Sequence, residues 1–224
     1  MLKRRIHMAY IQDEQRINIA NAINNNITRG KSVLLIGEYG VGKSFFIKNM
    51  FKDNVKAVWA ESLYSYKFFL TDILSKSVIN ISPKIKSRDH FFKTILRLKD
   101  IFIIIDEAAY LEKKLLPFIK RIMDIPIPVI MIGLPTFEQT LVNNYPDILS
   151  RLKTLRMQRL DVDDVAKTTP HIDKDALEMI YGHAMGNMRK FIEVYYDCYD
   201  KMKSLKLERI NADIAYQFIE GGNI

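Results

Sequence analysis

Gly37, Gly42, Lys43 and Ser44 occupy every fixed position of the pattern G-x-x-x-x-G-K-[ST] within LLIGEYGVGKSFF, residues 34–46. Residues of these types at this spacing bind phosphate. The backbone N–H groups of Glu38, Tyr39, Gly40, Val41 and Phe45, with a helix N-terminus behind them, would face an anion. Lys43 would reach the β- and γ-phosphates, and the Ser44 hydroxyl would ligate Mg2+. Asp106 and Glu107 form a second set at the end of the apolar run IFIII. An α/β sheet presents such strand ends to its ligand crevice. There an Asp holds Mg2+ directly or through water, and the adjacent Glu polarises an attacking water.

The elements needed to position these groups are visible in the pattern. SVLLI (residues 32–36) precedes the loop as an apolar, β-branched strand, and SFFIKNMF (residues 44–51) follows it as a helix. KAVWA (56–60), IFIIIDE (101–107) and PVIMIG (128–133) read as further strands, the last two apolar on both faces as central parallel strands are. TLRMQRL (154–160) alternates and suits an edge strand. Helical spacing covers residues 13–30, with Ile17, Ala20, Ile23 and Ile27 on one face and Gly30 as C-cap. Helices are also expected over 64–79, 87–99, 111–123 and 136–143. After Leu160 only helices follow, over about 162–167, 174–183, 187–203 and 211–220. Strands alternating with helices imply an α/β fold with a parallel five-stranded sheet covered on both faces. The tail implies a small all-α lid, so the expected division is residues 1–160 and 161–224.

Bulk properties narrow the class. The 224 residues carry a net charge of +8 and a single cysteine, Cys198, which excludes an internal disulfide. MLKRRIHMAYIQDEQ lacks the apolar core of a signal peptide, and IFIII is far too short to span a bilayer. A soluble, cytoplasmic protein without a membrane partner is expected. The four histidines show no metal-ligand spacing, and Cys198 has no C-x-x-C partner. Residues 1–100 hold 18 Lys and Arg against 8 Asp and Glu, whereas residues 151–224 hold 12 of each. This imbalance favours a polyanionic partner for the first half, with a solvated basic face as the alternative.

These motifs together resemble the AAA+ ATPases, within them the branch of initiator ATPases, TnsC-type transposition regulators and ExeA-like proteins. The resemblance covers nearly the whole chain: GEYGVGKS is similar to Walker A and IFIIIDE to Walker B. VIMIGLPTFEQTL with YPDILSRL resembles the sensor-1 strand and the segment ending in an arginine finger. GNMRKFIEV and RINADIAYQFI resemble the sensor-2 and closing helices of the lid. The resemblance implies that ATP with Mg2+ binds, that Arg189 contacts phosphates, and that Arg151 acts in trans on a neighbour's γ-phosphate. Arg156 and Arg159 compete for that last role. The family's polar sensor-1 residue is absent from the strand tip Gly133-Leu134-Pro135. Either Thr136 serves instead, or Glu107 positions the water alone, and slow hydrolysis follows.

In such relatives the region before Walker B faces DNA. Lys84, Lys86, Arg88, Lys93, Arg97 and Lys99 are therefore candidate phosphate contacts that read no bases. Phe91 and Phe92 read as core residues. With the lid reaching Ile224, the chain resembles a minimal regulator of a mobile element or a compact helicase loader. The expectation is a slow ATPase that oligomerises with ATP as a ring, spiral or filament on DNA. It would recruit a transposase, helicase or other replication protein. The alternatives are a signalling or scaffold ATPase acting on protein, and a degenerate structural subunit.

Overall fold

The computed structural model describes residues 13–62, 66–76, 88–97, 100–125 and 127–220. Five strands, β1 (Ser32–Ile36), β2 (Ala57–Glu61), β3 (Phe102–Asp106), β4 (Val129–Gly133) and β5 (Leu152–Arg156), form one parallel sheet in the order β2-β3-β4-β1-β5. Its three central strands are the three most continuously apolar runs of the chain. β1 and β4 are buried throughout, and β3 is buried up to Asp106. Burial on both faces is what unbroken Val/Ile/Leu runs require. Ser32 joins the two inner strands at their start, its hydroxyl accepting the Val129 N–H at 2.9 Å.

β1 lies between β4 and β5, so chain order reverses beside it and a crevice opens outside its carboxyl end. The phosphate-loop sequence leaves the sheet at that point. Ile36 pairs with Gly133, and Ile105 with Met131. The ends of β1, β4 and β3 are therefore adjacent, and the loop, the Gly133–Thr136 tip and the Asp106–Glu107 pair share one edge of the sheet.

Two compact units divide the contacts. One comprises residues 16–37 and 43–157. It holds the sheet with α1 (Glu14–Thr28, from Arg16 on), α2 (Lys43–Phe51), α3 (Tyr66–Lys76), α4 (Arg88–Ile95), α5 (Leu116–Asp124), α6 (Pro135–Asn144) and α7 (Pro146–Leu149). Its core runs from β1 and β3 to Phe91, Phe92 and Phe118, whose ring centroids lie 4.6 to 5.5 Å apart. Phe91 and Phe92 are thus buried packing residues. The other unit gathers, of the described residues, 13–15, the loop tip 38–42 and residues 158–220. Its helices are α8 (Val162–Ala166), α9 (Lys174–His183), α10 (Met188–Ser204) and α11 (Ala212–Glu220). They close over Leu177, Ile180, Phe191, Tyr195, Cys198 and Ile214.

Several boundaries differ from the sequence pattern. Of the expected α1 stripe Ile23 is buried and Ala20 and Ile27 are half-buried, but Ile17 is 46% exposed, and Arg16 and Ile19 are buried instead. The expected helix over 111–123 is shorter. A 3-10 turn at Lys113–Leu115 precedes α5, because Pro117 has no N–H to donate and is accommodated only in a first turn. β5 starts at Leu152, two residues early. It ends at Arg156, after which the Met157 N–H still donates to Ile36. α3 and α4 fall inside the expected helices; α4 ends at Ile95, with Leu96 and Arg97 in a turn, and the other ends (64–65, 77–79, 87 and 98–99) lie outside the described residues.

Candidate nucleotide site

The base of the phosphate loop is assembled from two strand ends and the first turn of α2. Lys43 opens α2, and its Nζ donates to the Gly37 carbonyl at 2.7 Å, which closes the loop on itself. Beside it, the Ser44 hydroxyl donates to Asp106 Oδ1 at 2.9 Å, across 62 residues of sequence. The same carboxylate oxygen accepts the Glu107 N–H at 2.9 Å. A hydroxyl and a carboxylate in contact form a pair of hard oxygen donors. Mg2+ is ordinarily held by one or two such protein groups together with substrate phosphates, so these residues fit it. Among the described residues no group of three or more His, Cys, Asp or Glu could hold a metal, and a site of this kind needs none.

Glu107 departs from ordinary backbone geometry, with φ 50° and ψ 44° in the left-handed region. A non-glycine residue there costs about 1–3 kcal/mol and persists where its surroundings over-determine it. Asp106 supplies that restraint by fixing the Glu107 N–H, and the Glu107 side chain is exposed. Glu107 thus follows the Ser44–Asp106 pair directly, with its side chain exposed.

The loop tip is built within the helical unit. Gly40 and Gly42 have φ of 81° and 91°, values that glycine adopts without strain. A Cβ on Gly40 would meet Asn187 Oδ1 at 2.2 Å, so only glycine permits that approach. The GNMRK sequence explains the partner. Gly186, with φ 71°, reverses the chain after α9. Asn187 then caps α10 by accepting the N–H groups of Arg189 and Lys190. The Met188 N–H donates to the Gly40 carbonyl at 3.0 Å. Arg189 Nη1 donates to the Tyr39 hydroxyl at 2.7 Å, and its guanidinium carbon lies 5.4 Å from the Tyr39 ring centroid. Val41 is buried, while Glu38, Tyr39 and Phe45 are exposed.

The remaining candidates lie elsewhere. Thr136 is exposed in the first turn of α6, behind Pro135. Arg151, following α7, donates from Nε to Asp124 Oδ1 at 2.6 Å and from Nη1 to the Asp147 carbonyl at 2.5 Å. Lys120 pairs with the Asp147 carboxylate at 2.6 Å, and this hydrogen bond holds the carboxyl below its ordinary range. Arg156 Nη2 donates to both carboxylate oxygens of Glu138, at 2.8 and 2.7 Å. The Arg159 stem packs where a Gly186 Cβ would be. Of the basic segment, Lys93 and Arg97 are exposed and Arg88 heads α4, while Lys84, Lys86 and Lys99 lie outside the described residues. Burial pushes the Cys198 thiol up to about 12, so it packs as an apolar group and carries no thiolate chemistry. No helix among the described residues is long and apolar enough to cross a membrane.

Sequence reasoning did not reach the Tyr39–Arg189 pair, the Asp124 partner of Arg151 or the left-handed Glu107. Asn187 carried a readable signal, since Gly-Asn before a helical run is a cap sequence.

The family described as AAA domain matches residues 27–141, a little over half of the chain. No curated protein matches. Among solved structures the chain is similar to the ORC2 protein of Aeropyrum pernix, with 13% identity, a TM-score of 0.70, and 95% of this chain and 70% of that one covered. It is similar to the ORC1 protein of the same organism in complex with DNA, with 16% identity, a TM-score of 0.69, and 97% and 67% covered. The RuvB Holliday junction branch migration motor of Thermotoga maritima has 22% identity, a TM-score of 0.63, and 94% and 69% covered. At these identities the likeness shows the fold: a parallel sheet with a phosphate loop leaving its switch point. The family match spans that loop, the Asp106–Glu107 strand end and most of α6, and the chain therefore belongs to the AAA domain family of AAA+ ATPases.

Proposed function

We propose that the chain is an ATP-dependent switch of the initiator, TnsC-type or ExeA-like kind, which oligomerises with ATP and associates with DNA without strong sequence preference. The observation that carries the nucleotide half is the Ser44–Asp106 contact, because it joins the two motifs at one point. ATP phosphates lie along the loop from Gly37 to Ser44, with Lys43 exchanging the Gly37 carbonyl for a phosphate oxygen. Ser44 and Asp106 would hold Mg2+, which would supply positive charge beside the phosphates. Glu107 orients and polarises the attacking water, with Thr136 beside the strand tip as the hydroxyl nearest in sequence. Arg189 serves the same nucleotide from the loop tip, and Arg151 serves a neighbouring subunit's.

DNA association is supported by the basic first half and by the likeness to a fold solved on DNA. The partner enzyme belongs to a replication system or mobile element, as a transposase or helicase would. If residues 84–99 track a phosphate backbone, binding requires ATP and weakens with salt. The log–log slope is about −0.9 per neutralised duplex phosphate. Lys84→Glu, Lys86→Glu and Arg88→Glu together are expected to flatten the slope by about three phosphates' worth and remove DNA stimulation of turnover. Basal ATPase activity stays near wild type. Fluorescence anisotropy across a salt series measures this. An unchanged affinity and slope in the triple variant would make the basic segment a solvated face with no part in DNA binding.

A further inference from the structure

We propose that Tyr39 is a positioning residue for the nucleotide: its phenol holds the Arg189 guanidinium at the loop tip with the positive charge still available to a polyphosphate. The proposal rests on the nucleotide reading above and adds to it a residue inside the phosphate loop that acts through another side chain. Three observations converge. The backbone around Arg189 is already fixed against the loop, by Met188 N–H on the Gly40 carbonyl and by Asn187 packed on Gly40. What remains to be ordered is the long arginine stem, whose many rotamers cost entropy to fix. The Tyr39 hydroxyl at 2.7 Å and the ring beneath the guanidinium restrain that stem at its charged end.

The chemistry of the partner decides the direction of the effect. A carboxylate partner would bring a counter-charge to the arginine; Arg151 and Arg156 have such partners in Asp124 and Glu138. Tyr39 is neutral, and among the described residues no carboxylate lies within ion-pair distance of Arg189. An arginine oriented by a phenol keeps its full charge and its remaining donors. A tyrosine at this place in the loop therefore loads Arg189 for an anion rather than storing it away from one.

The test is a double-mutant cycle read in ATP affinity by isothermal titration calorimetry with a non-hydrolysable ATP analogue. Tyr39 is 59% exposed, so its variants keep the core, and thermal melting checks this. Tyr39→Phe, which keeps the ring and loses the hydroxyl, is expected to weaken binding roughly threefold to tenfold, the net effect of one ordinary hydrogen bond. Tyr39→Ala weakens it further by losing the ring contact. In an Arg189→Ala background the Tyr39→Phe loss disappears, which a merely structural role for Tyr39 would not produce. The proposal is overturned if Tyr39→Phe binds as tightly as wild type or more tightly, or if its loss persists undiminished without Arg189. Wild-type protein that binds no analogue at all would instead overturn the nucleotide reading beneath it.

Discussion

Glu107→Gln is expected to bind ATP as the wild type does and to turn it over at least about a hundredfold more slowly. The substitution leaves the Ser44–Asp106 pair and Lys43 in place and removes only the carboxylate proposed to polarise water. Lys43→Ala, by contrast, is expected to lose binding as well. A third variant separates strain from catalysis. Glu107 holds φ 50°, a conformation open to glycine without cost. Glu107→Gly relieves about 1–2 kcal/mol of backbone strain and gives back about 0.5–1 kcal/mol through the more flexible unfolded chain. Its melting temperature should therefore equal or slightly exceed that of the wild type, while its turnover falls as far as that of Glu107→Gln. Phosphate release measured beside thermal denaturation checks both halves. Turnover unaffected by Glu107→Gln would remove Glu107 from the reaction, and a large loss of stability in Glu107→Gly would mean that the side chain serves the fold.

That pairing of strain with chemistry marks where sequence reading stopped. β1, β3 and β4 were legible because burial on both faces demands uninterrupted apolar residues, and few other contexts do. The phosphate loop was legible because its glycines and Lys43 are specified by backbone approach and charge. β5 was read two residues late: as an edge strand it is only partly buried, and an alternating pattern does not fix where pairing with β1 begins. The α1 stripe differed at its start because Arg16 takes a buried position that a hydrophobic count assigns to Ile17. Strand order, the left-handed Glu107 and the pairs Tyr39–Arg189 and Arg151–Asp124 are tertiary facts. The first of these pairs joins residues 150 apart, and no local rule couples them. GNMRK was recognisable as a lid signature, yet its glycine and asparagine act by shaping the turn that meets Gly40.

Arg151→Ala is expected to bind nucleotide normally and to lose roughly a thousandfold in turnover, the lower end of what an arginine supplied to a γ-phosphate contributes. The pair with Asp124 does not forbid that role. Both partners are partly exposed, with side chains 33% and 47% accessible, and such a pair contributes only about 0–1 kcal/mol. A thousandfold in rate corresponds to about 4 kcal/mol, so the transition-state interaction outweighs the pair several times over. Asp124 and the Asp147 carbonyl engage Nε and Nη1, which orients the fork while leaving Nη2 to approach a phosphate. Asp124→Asn should accordingly change turnover by less than about fivefold, since the geometry survives and little energy is removed. Mixing Arg151→Ala with Lys43→Ala decides whether the arginine serves a neighbour. In a mixed assembly a Lys43→Ala subunit lends its intact Arg151 to an Arg151→Ala subunit whose pocket is whole. Phosphate release should then rise above that of either variant alone and peak at an intermediate ratio. Absence of any rise, in mixtures shown by light scattering to co-assemble, would confine Arg151 to its own chain and leave Arg156 and Arg159 as the arginines to test next.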